Sequence, residues 1–319
     1  MNRILITPRS ITQKPGPEID ALREAGYELI FSTPGKTPTE AELLNLVPGC
    51  VAWLAGVEKI SERVLRAAKD LRIISRNGTG IDNIPIQTAE ELGIQIRKAD
   101  GSNARGVAEL AITLALCSLR FVPIIHAKLK QGAWELMRGR EISDRRFGLI
   151  GGGAVGRIVA HLAIGLGARV AAYDPYPNHN FNPGDRFSWS SSESVFAESD
   201  LVSLHCPSPS DGKPVVDSSV LAAMKSGSCL INTARGSLID EPAVIDALDS
   251  GKLSTYATDV FNTEPPDPNS KLLQHPRTIV TPHIAALTEE SIRRATERAI
   301  ENLLDTLGKS GAETQSRKT

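Results

Sequence analysis

Short apolar runs alternate with amphipathic stretches along nearly the whole chain. In the first third, residues 3–7, 27–31, 50–55, 72–75 and 94–97 read as strands. Helical spacing of apolar positions lies between them, near 17–25, 40–46, 61–68 and 84–92. Strands that are apolar throughout, rather than alternately, fit a parallel sheet covered on both faces. A long helix over about 103–120 follows, with Val107, Leu110, Ala111, Leu114, Ala115 and Leu119 on one stripe. A polar region, 128–146, contains Trp134. A second alternation begins at Phe147, with strands at 147–150, 168–173, 201–205, 229–233, 256–260 and 278–281. Its helices fall at 155–166, 218–224 and 242–250, and a last helix at about 288–307 precedes a polar tail expected to fray from Gly308. The pattern predicts an α/β fold with two doubly wound parallel sheets, each the core of a domain.

Composition narrows the classes of function. Of 319 residues, 41% are hydrophobic and 23% charged, the balance of a globular chain with ample core. Lys plus Arg is 36 against 37 Asp plus Glu, a net charge of −1, which offers no general attraction to nucleic acid or an anionic membrane. An aromatic share of 4% argues against a base-stacking surface. The longest apolar stretch, 107–125, is broken by Glu109, Arg120 and Pro123, and the N-terminal apolar run is too short for a signal peptide. Cys50, Cys117, Cys206 and Cys229 form no CxxC pair, so neither a disulfide framework nor a metal site is expected, and a reducing cytoplasm fits.

One segment carries specific chemistry. Phe147-Gly-Leu-Ile-Gly151-Gly-Gly153-Ala-Val-Gly156 places a GxGxxG pattern between a strand and a helix. Gly151 permits a tight turn, Gly153 lets a pyrophosphate approach the backbone, and Gly156 lets helix and strand pack closely. The helix N-terminus then offers unpaired N–H groups to the phosphates. Asp174 ends the next strand, about twenty residues on, where a carboxylate accepts bonds from ribose hydroxyls and disfavours a 2′-phosphate. The simpler alternative is that Asp174-Pro175 only opens a turn.

Six histidines compete for proton transfer. His126 and His161 lie on helical stretches, and His179 and His275 in loops. His205 ends a strand on the cofactor side, where a structural role fits equally well. His283 follows the 278–281 strand, at a C-terminal strand end of the kind where open α/β sheets bind ligands. Arg235 follows another strand, and Asp259 and Glu264 a third. An arginine can hold a carboxylate through two parallel bonds, and a histidine beside a carboxylate can exchange a proton near neutral pH. Each of these residues taken singly also fits an ordinary surface or structural role.

Taken together, the motifs resemble the D-isomer-specific 2-hydroxyacid dehydrogenases. They are Arg76-Asn77-Gly78-Thr79-Gly80-Ile-Asp-Asn, Gly101-Ser-Asn103-Ala-Arg-Gly-Val-Ala-Glu109, the glycine loop, Ile231-Asn-Thr-Ala-Arg235-Gly236, Asp259-Val-Phe-Asn-Thr-Glu264 and Thr281-Pro-His283. The first of these is most like the 3-phosphoglycerate dehydrogenase branch. The resemblance implies a Rossmann NAD-binding domain, residues 99–287, inserted into a flavodoxin-like substrate domain made of 1–98 and 288–319. It also implies hydride transfer between NAD and the C2 atom of a 2-hydroxyacid or 2-oxoacid. Arg235 would orient the substrate, His283 would be the acid/base and Glu264 its partner. Arg76 and the backbone at Asn77 and Gly78 would meet the substrate. Thr79, Ala154, Val155, Asp174, His205, Cys206, Pro207, Thr233, Ala234 and Asp259 would line the cofactor, with Asp259 on the nicotinamide carboxamide. A homodimer without metal, nucleic-acid or membrane partners is implied, as is a chain lacking the C-terminal regulatory domain of longer members.

Two departures bear on the substrate. Where phosphoglycerate-specific members often carry a base after the third strand, this chain has Trp53-Leu54-Ala55-Gly56, and Leu136 follows Trp134-Glu135. A glyoxylate or hydroxypyruvate reductase therefore stands as the alternative. From other classes, a non-catalytic NAD(H) sensor and a methyltransferase share the glycine turn, but neither needs Arg235, Glu264 and His283 together.

Overall fold

The computed structural model describes residues 2–316. The chain divides into two compact units, Met1–Asn103 with Thr288–Thr319, and Ala104–Leu287.

The first unit is built on five parallel strands, β1 (Arg3–Ile6), β2 (Glu28–Phe31), β3 (Cys50–Ala55), β4 (Ile73–Arg76) and β5 (Gln95–Lys98), in the order β2-β1-β3-β4-β5. This is the flavodoxin-like order, with its topological switch between β1 and β3. Every residue of β3 is buried, as expected of a central strand covered on both faces. One face packs Leu5, Trp53, Val64, Leu65 and Ile74 together. The other packs Ile4, Ile6, Leu22 and Leu54 against Ala299, Ile300 and Leu303 of the helix Glu289–Ser316. Thr39 and Ser61 start two of the covering helices by accepting the N–H groups of Glu42 and Val64.

The second unit holds seven parallel strands: β6 (Arg146–Ile150), β7 (Arg169–Tyr173), β8 (Phe187–Trp189), β9 (Leu201–Leu204), β10 (Ser228–Asn232), β11 (Leu253–Thr258) and β12 (Thr278–Val280). Their order, β12-β11-β10-β9-β6-β7-β8, is that of a Rossmann sheet extended by one strand. The helices Ala104–Arg120 and Ala154–Gly165 bury Ala111, Ala115, Ala160 and Ala163 on one face, where small side chains allow close approach. The α/β class with two doubly wound parallel sheets is as the sequence predicts.

Three local features differ from the sequence reading. The region from 128 begins inside a helix, Val122–Lys130, set at 62° to Ala104–Arg120 across Phe121, whose backbone is left-handed (φ 56). No single helix among the described residues is long and apolar enough to cross a membrane. Strand β8 is an edge strand of three residues, too short to register as a periodic run. The last helix is longer than the 288–307 of the sequence reading, running Glu289–Ser316.

Candidate active site

In the second unit the glycine loop follows β6 directly. Gly151 has φ +107, and a Cβ there would lie 2.5 Å from the His205 carbonyl oxygen. A Cβ on Gly156 would lie 2.1 Å from the Gly151 carbonyl oxygen, so only glycine lets the first helical turn close on the loop. Gly153, by contrast, faces open space. It caps the helix Ala154–Gly165, whose first residues are Ala154 and Val155. Asp174, just beyond β7, accepts from Gly152 N at 2.7 Å and from Tyr176 N at 2.9 Å, so its carboxylate is fixed beside the loop. Trp189 of β8 packs over Gly152, whose Cβ would come within 2.4 Å of the indole.

These residues fit a dinucleotide. The open position at Gly153 is where a pyrophosphate needs to approach. Two buried polar atoms nearby, Thr233 Oγ1 and His205 Nε2, have no hydrogen-bond partner. Cys206 is half-buried and its thiol is pushed up to about 11 by burial, so it lines the region as an inert group. Pro207 is exposed and Ala234 half-buried.

Burial also pushes His205 down to about 4. Between pH 6.5 and 4 the unfolded chain binds a proton that the folded chain does not. The stability due to neutral His205 is therefore full above pH 6.5 and is lost as pH falls towards 4. Because the residue is only partly covered, the effect is set at about 2 kcal/mol. Replacing His205 with asparagine should reduce the loss of thermal midpoint between pH 7 and pH 4.5. An equal loss in both proteins would contradict this assignment.

The second cluster forms at the ends of β10, β11 and β12. Asn232 organises the turn after β10: its Oδ1 accepts from Ala234 N at 3.1 Å and its Nδ2 donates to Arg235 O at 2.8 Å. Gly236 then packs on the backbone of the next loop, where a Cβ would sit 2.2 Å from Phe261 C. That loop carries Glu264, which accepts from Phe261 N at 3.0 Å through Oε1 and meets His283 Nδ1 at 2.7 Å through Oε2. Nε2 of His283 makes no hydrogen bond among the described residues, which leaves it able to exchange a proton. His283 itself has a left-handed backbone (φ 55), uncommon off glycine.

Asp259 holds that backbone in place. It is fully buried and accepts from Thr281 Oγ1 (2.6 Å), Ile284 N (2.8 Å) and Ala285 N (2.8 Å), on both sides of His283. The family resemblance points Asp259 at the nicotinamide, and this anchoring becomes visible with the fold. Asn232 stands in the 231–236 motif without a role of its own in the sequence reading, although an Asn at a strand end, three residues before Arg235, is a signal for a turn organiser.

In the first unit, Arg76 ends β4, and Asn77, Gly78 and Thr79 follow it. The N–H groups of Asn77 and Gly78 are already engaged, donating to Ala55 O and Arg76 O at 2.8 Å each. The loop is still fixed in place, since Asn77 Nδ2 donates to Thr296 Oγ1 at 3.3 Å and Asn103 Nδ2 to Thr79 Oγ1 at 3.3 Å. Arg76 Nη1 turns back onto Asn77 O at 2.5 Å, and its Nε is buried without a partner.

Known proteins share this organisation. Residues 112–285 match the family described as D-isomer specific 2-hydroxyacid dehydrogenase, NAD binding domain. A hydroxypyruvate reductase of Thermotoga maritima is 36% identical over 272 residues, covering 84% of this chain and 88% of its own. A D-3-phosphoglycerate dehydrogenase of Archaeoglobus fulgidus is 34% identical over 276 residues, covering 86% of this chain and 52% of that protein, so the chain spans about half of that relative's length. The crystal structure of a protein from Thermus thermophilus is similar with a TM-score of 0.85 and 33% identity, over 96% of this chain and 97% of that one. Through this family match and these relatives, the chain belongs to the D-isomer-specific 2-hydroxyacid dehydrogenase family and is an NAD-dependent enzyme acting on the CH–OH group of a 2-hydroxyacid.

Proposed function

We propose that the enzyme interconverts small unphosphorylated 2-oxoacids, such as hydroxypyruvate or glyoxylate, with their D-2-hydroxyacids. The observation that carries this reading is the apolar surroundings of the Arg76–Gly80 motif, in which Arg76 is the one cation. The neighbouring strand end, Trp53-Leu54-Ala55, is fully buried and apolar. A buried phosphate normally requires several cationic or N–H partners, because an under-paired anion is costly. The Thermotoga relative, matched over most of its length, carries the name hydroxypyruvate reductase.

NAD, when bound by the 151–156 loop, Asp174 and the residues lining 205–207 and 233–234, supplies or accepts the hydride at substrate C2. Arg235 binds the substrate carboxylate and polarises its carbonyl. His283 gives the forming alkoxide its proton from Nε2 in reduction and takes it back in oxidation. Glu264 on Nδ1 fixes the orientation of the ring and leaves Nε2 for the substrate. The Arg76–Gly80 motif offers backbone donors of its own, Thr79 and Gly80 being the amides without a hydrogen bond among the described residues. The domain division follows the two units, with the cofactor domain inserted between two parts of the substrate domain. A homodimer and a cytoplasmic setting complete the reading, the latter supported by four free cysteines.

A second reading, D-3-phosphoglycerate dehydrogenase, is favoured by the Arg76-Asn-Gly-Thr-Gly-Ile-Asp-Asn motif and by the relatives of that name. Comparing kcat/KM with NADH for glyoxylate, hydroxypyruvate and 3-phosphohydroxypyruvate separates the two. The unphosphorylated acids should react at least as well as the phosphorylated one. Strong preference for 3-phosphohydroxypyruvate, with the other two nearly inert, would reverse the assignment.

A further inference from the structure

Two residues after Gly56, at the switch point of the first sheet, lies a carboxylate that no catalytic role absorbs. Glu58 is 1% exposed. Its Oε1 accepts from Gly56 N at 2.9 Å and from the Thr7 hydroxyl. Thr7 Oγ1 in turn accepts from Trp53 Nε1 at 2.9 Å and lies 3.2 Å from Gly56 N. Two donors thus converge on the carboxylate beyond the C-terminal ends of β1 and β3, a backbone N–H and a hydroxyl, and the indole N–H holds that hydroxyl in place. In an open α/β sheet this is the crevice where ligands bind, and such a set of donors suits an anion. Here the anion is the protein's own side chain.

The fit is close. A Cβ on Gly56 would lie 2.6 Å from Glu58 Oε2 and 3.0 Å from Pro8 Cα, so glycine is needed to admit the carboxylate. Asn83 Nδ2 donates to Glu58 O at 2.6 Å, which fixes the backbone that aims the side chain inwards. Arg76, at the end of the neighbouring strand β4, feels this charge: burial lowers its pKa, and the carboxylates of Glu58 and Asp82 oppose that shift.

We propose that Glu58 is a specificity determinant that excludes phosphorylated 2-oxoacids. It occupies the anion-binding crevice from within and sets a negative charge against Arg76, the cation a substrate phosphate would otherwise use. Selection works by repulsion of the wrong substrate as much as by attraction of the right one. A small neutral substituent beyond C2, such as a hydroxymethyl group or hydrogen, meets no such repulsion. This inference rests on the reading of the enzyme as a reductase of unphosphorylated acids and names the residue that enforces it.

The test is the ratio of kcat/KM for 3-phosphohydroxypyruvate to that for hydroxypyruvate, measured in the wild type, Glu58→Gln and Glu58→Ala, with thermal midpoints recorded. Removing the charge should raise the ratio by about tenfold or more, as expected for one unit charge near a phosphate in a partly buried site. A purely structural role would depress both substrates together and leave the ratio unchanged. If the wild type rejects the phosphorylated acid and both folded variants reject it equally, the role of Glu58 is wrong and the functional reading stands. If the wild type already prefers the phosphorylated acid, the functional reading fails, and this inference with it. If neither variant folds, Glu58 is a structural strut and the inference is overturned.

Discussion

Replacing His283 with alanine should lower the turnover of 2-oxoacid reduction by about a hundredfold or more, the usual scale of general acid–base assistance. The ring has one nitrogen committed to Glu264 at 2.7 Å and the other without a hydrogen bond among the described residues. No other described histidine contacts Glu264, so water would have to protonate the alkoxide. Glu264→Gln is the finer test. A neutral amide can present its own N–H to Nδ1 and select the wrong tautomer and orientation of the ring, so turnover should fall by about tenfold or more in Glu264→Gln while KM changes little. Turnover near normal in His283→Ala would remove the residue from the mechanism. A turnover number unchanged in Glu264→Gln would remove the pairing.

Gly236→Ala should be nearly as damaging although residue 236 carries no reactive group. Its Cβ would lie 2.2 Å from Phe261 C and 2.4 Å from Asn262 N. Both are backbone atoms, so one of the two loops has to move. One loop carries Arg235, the other Asp259 and Glu264. A displacement on the order of 1 Å between groups that must act on one substrate costs about a hundredfold. The glycine loop at 151–156 makes no use of this contact. NADH affinity, read by fluorescence titration, should therefore stay within a few-fold of the wild type while kcat/KM collapses. Loss of NADH binding in step with activity would mean that the substitution disturbs the whole sheet.

The parts legible in sequence are those with a period or a fixed spacing. Parallel strands such as Cys50–Ala55 are apolar throughout because both faces are covered. The glycine loop and Asp174 stand at a separation set by one helix and one strand. Glu264 and His283 could be paired because each follows a strand of the same sheet. The parts that stay hidden depend on contacts distant in sequence. Strand β8 is only three residues long and takes its conformation from β7. Glu58 follows an apolar run and would ordinarily be read as a surface acid. Only the fold brings Thr7, 51 positions away, to bond it. The engaged N–H groups of Asn77 and Gly78 likewise follow from the path of the chain beside Ala55. A motif gives the residue types, not which backbone atoms are already satisfied.

The interrupted first unit has a consequence for the order of events during synthesis. One face of its sheet is closed by Ala299, Ile300, Leu303 and Leu307, yet the strands they cover are complete by residue 98. At ribosomal rates of about 5–20 residues per second, the roughly 200 intervening residues take about 10–40 s to emerge. For that time Ile4, Ile6, Leu22 and Leu54 lack the partners they have in the finished protein. Meanwhile the contiguous second unit has every strand it needs. The cofactor-binding half should therefore mature first on the ribosome. The nascent first sheet offers an apolar face to chaperones until the last helix arrives. That helix also supplies Thr296, which holds Asn77, so the loop proposed to receive the substrate is among the last parts of the molecule to be fixed.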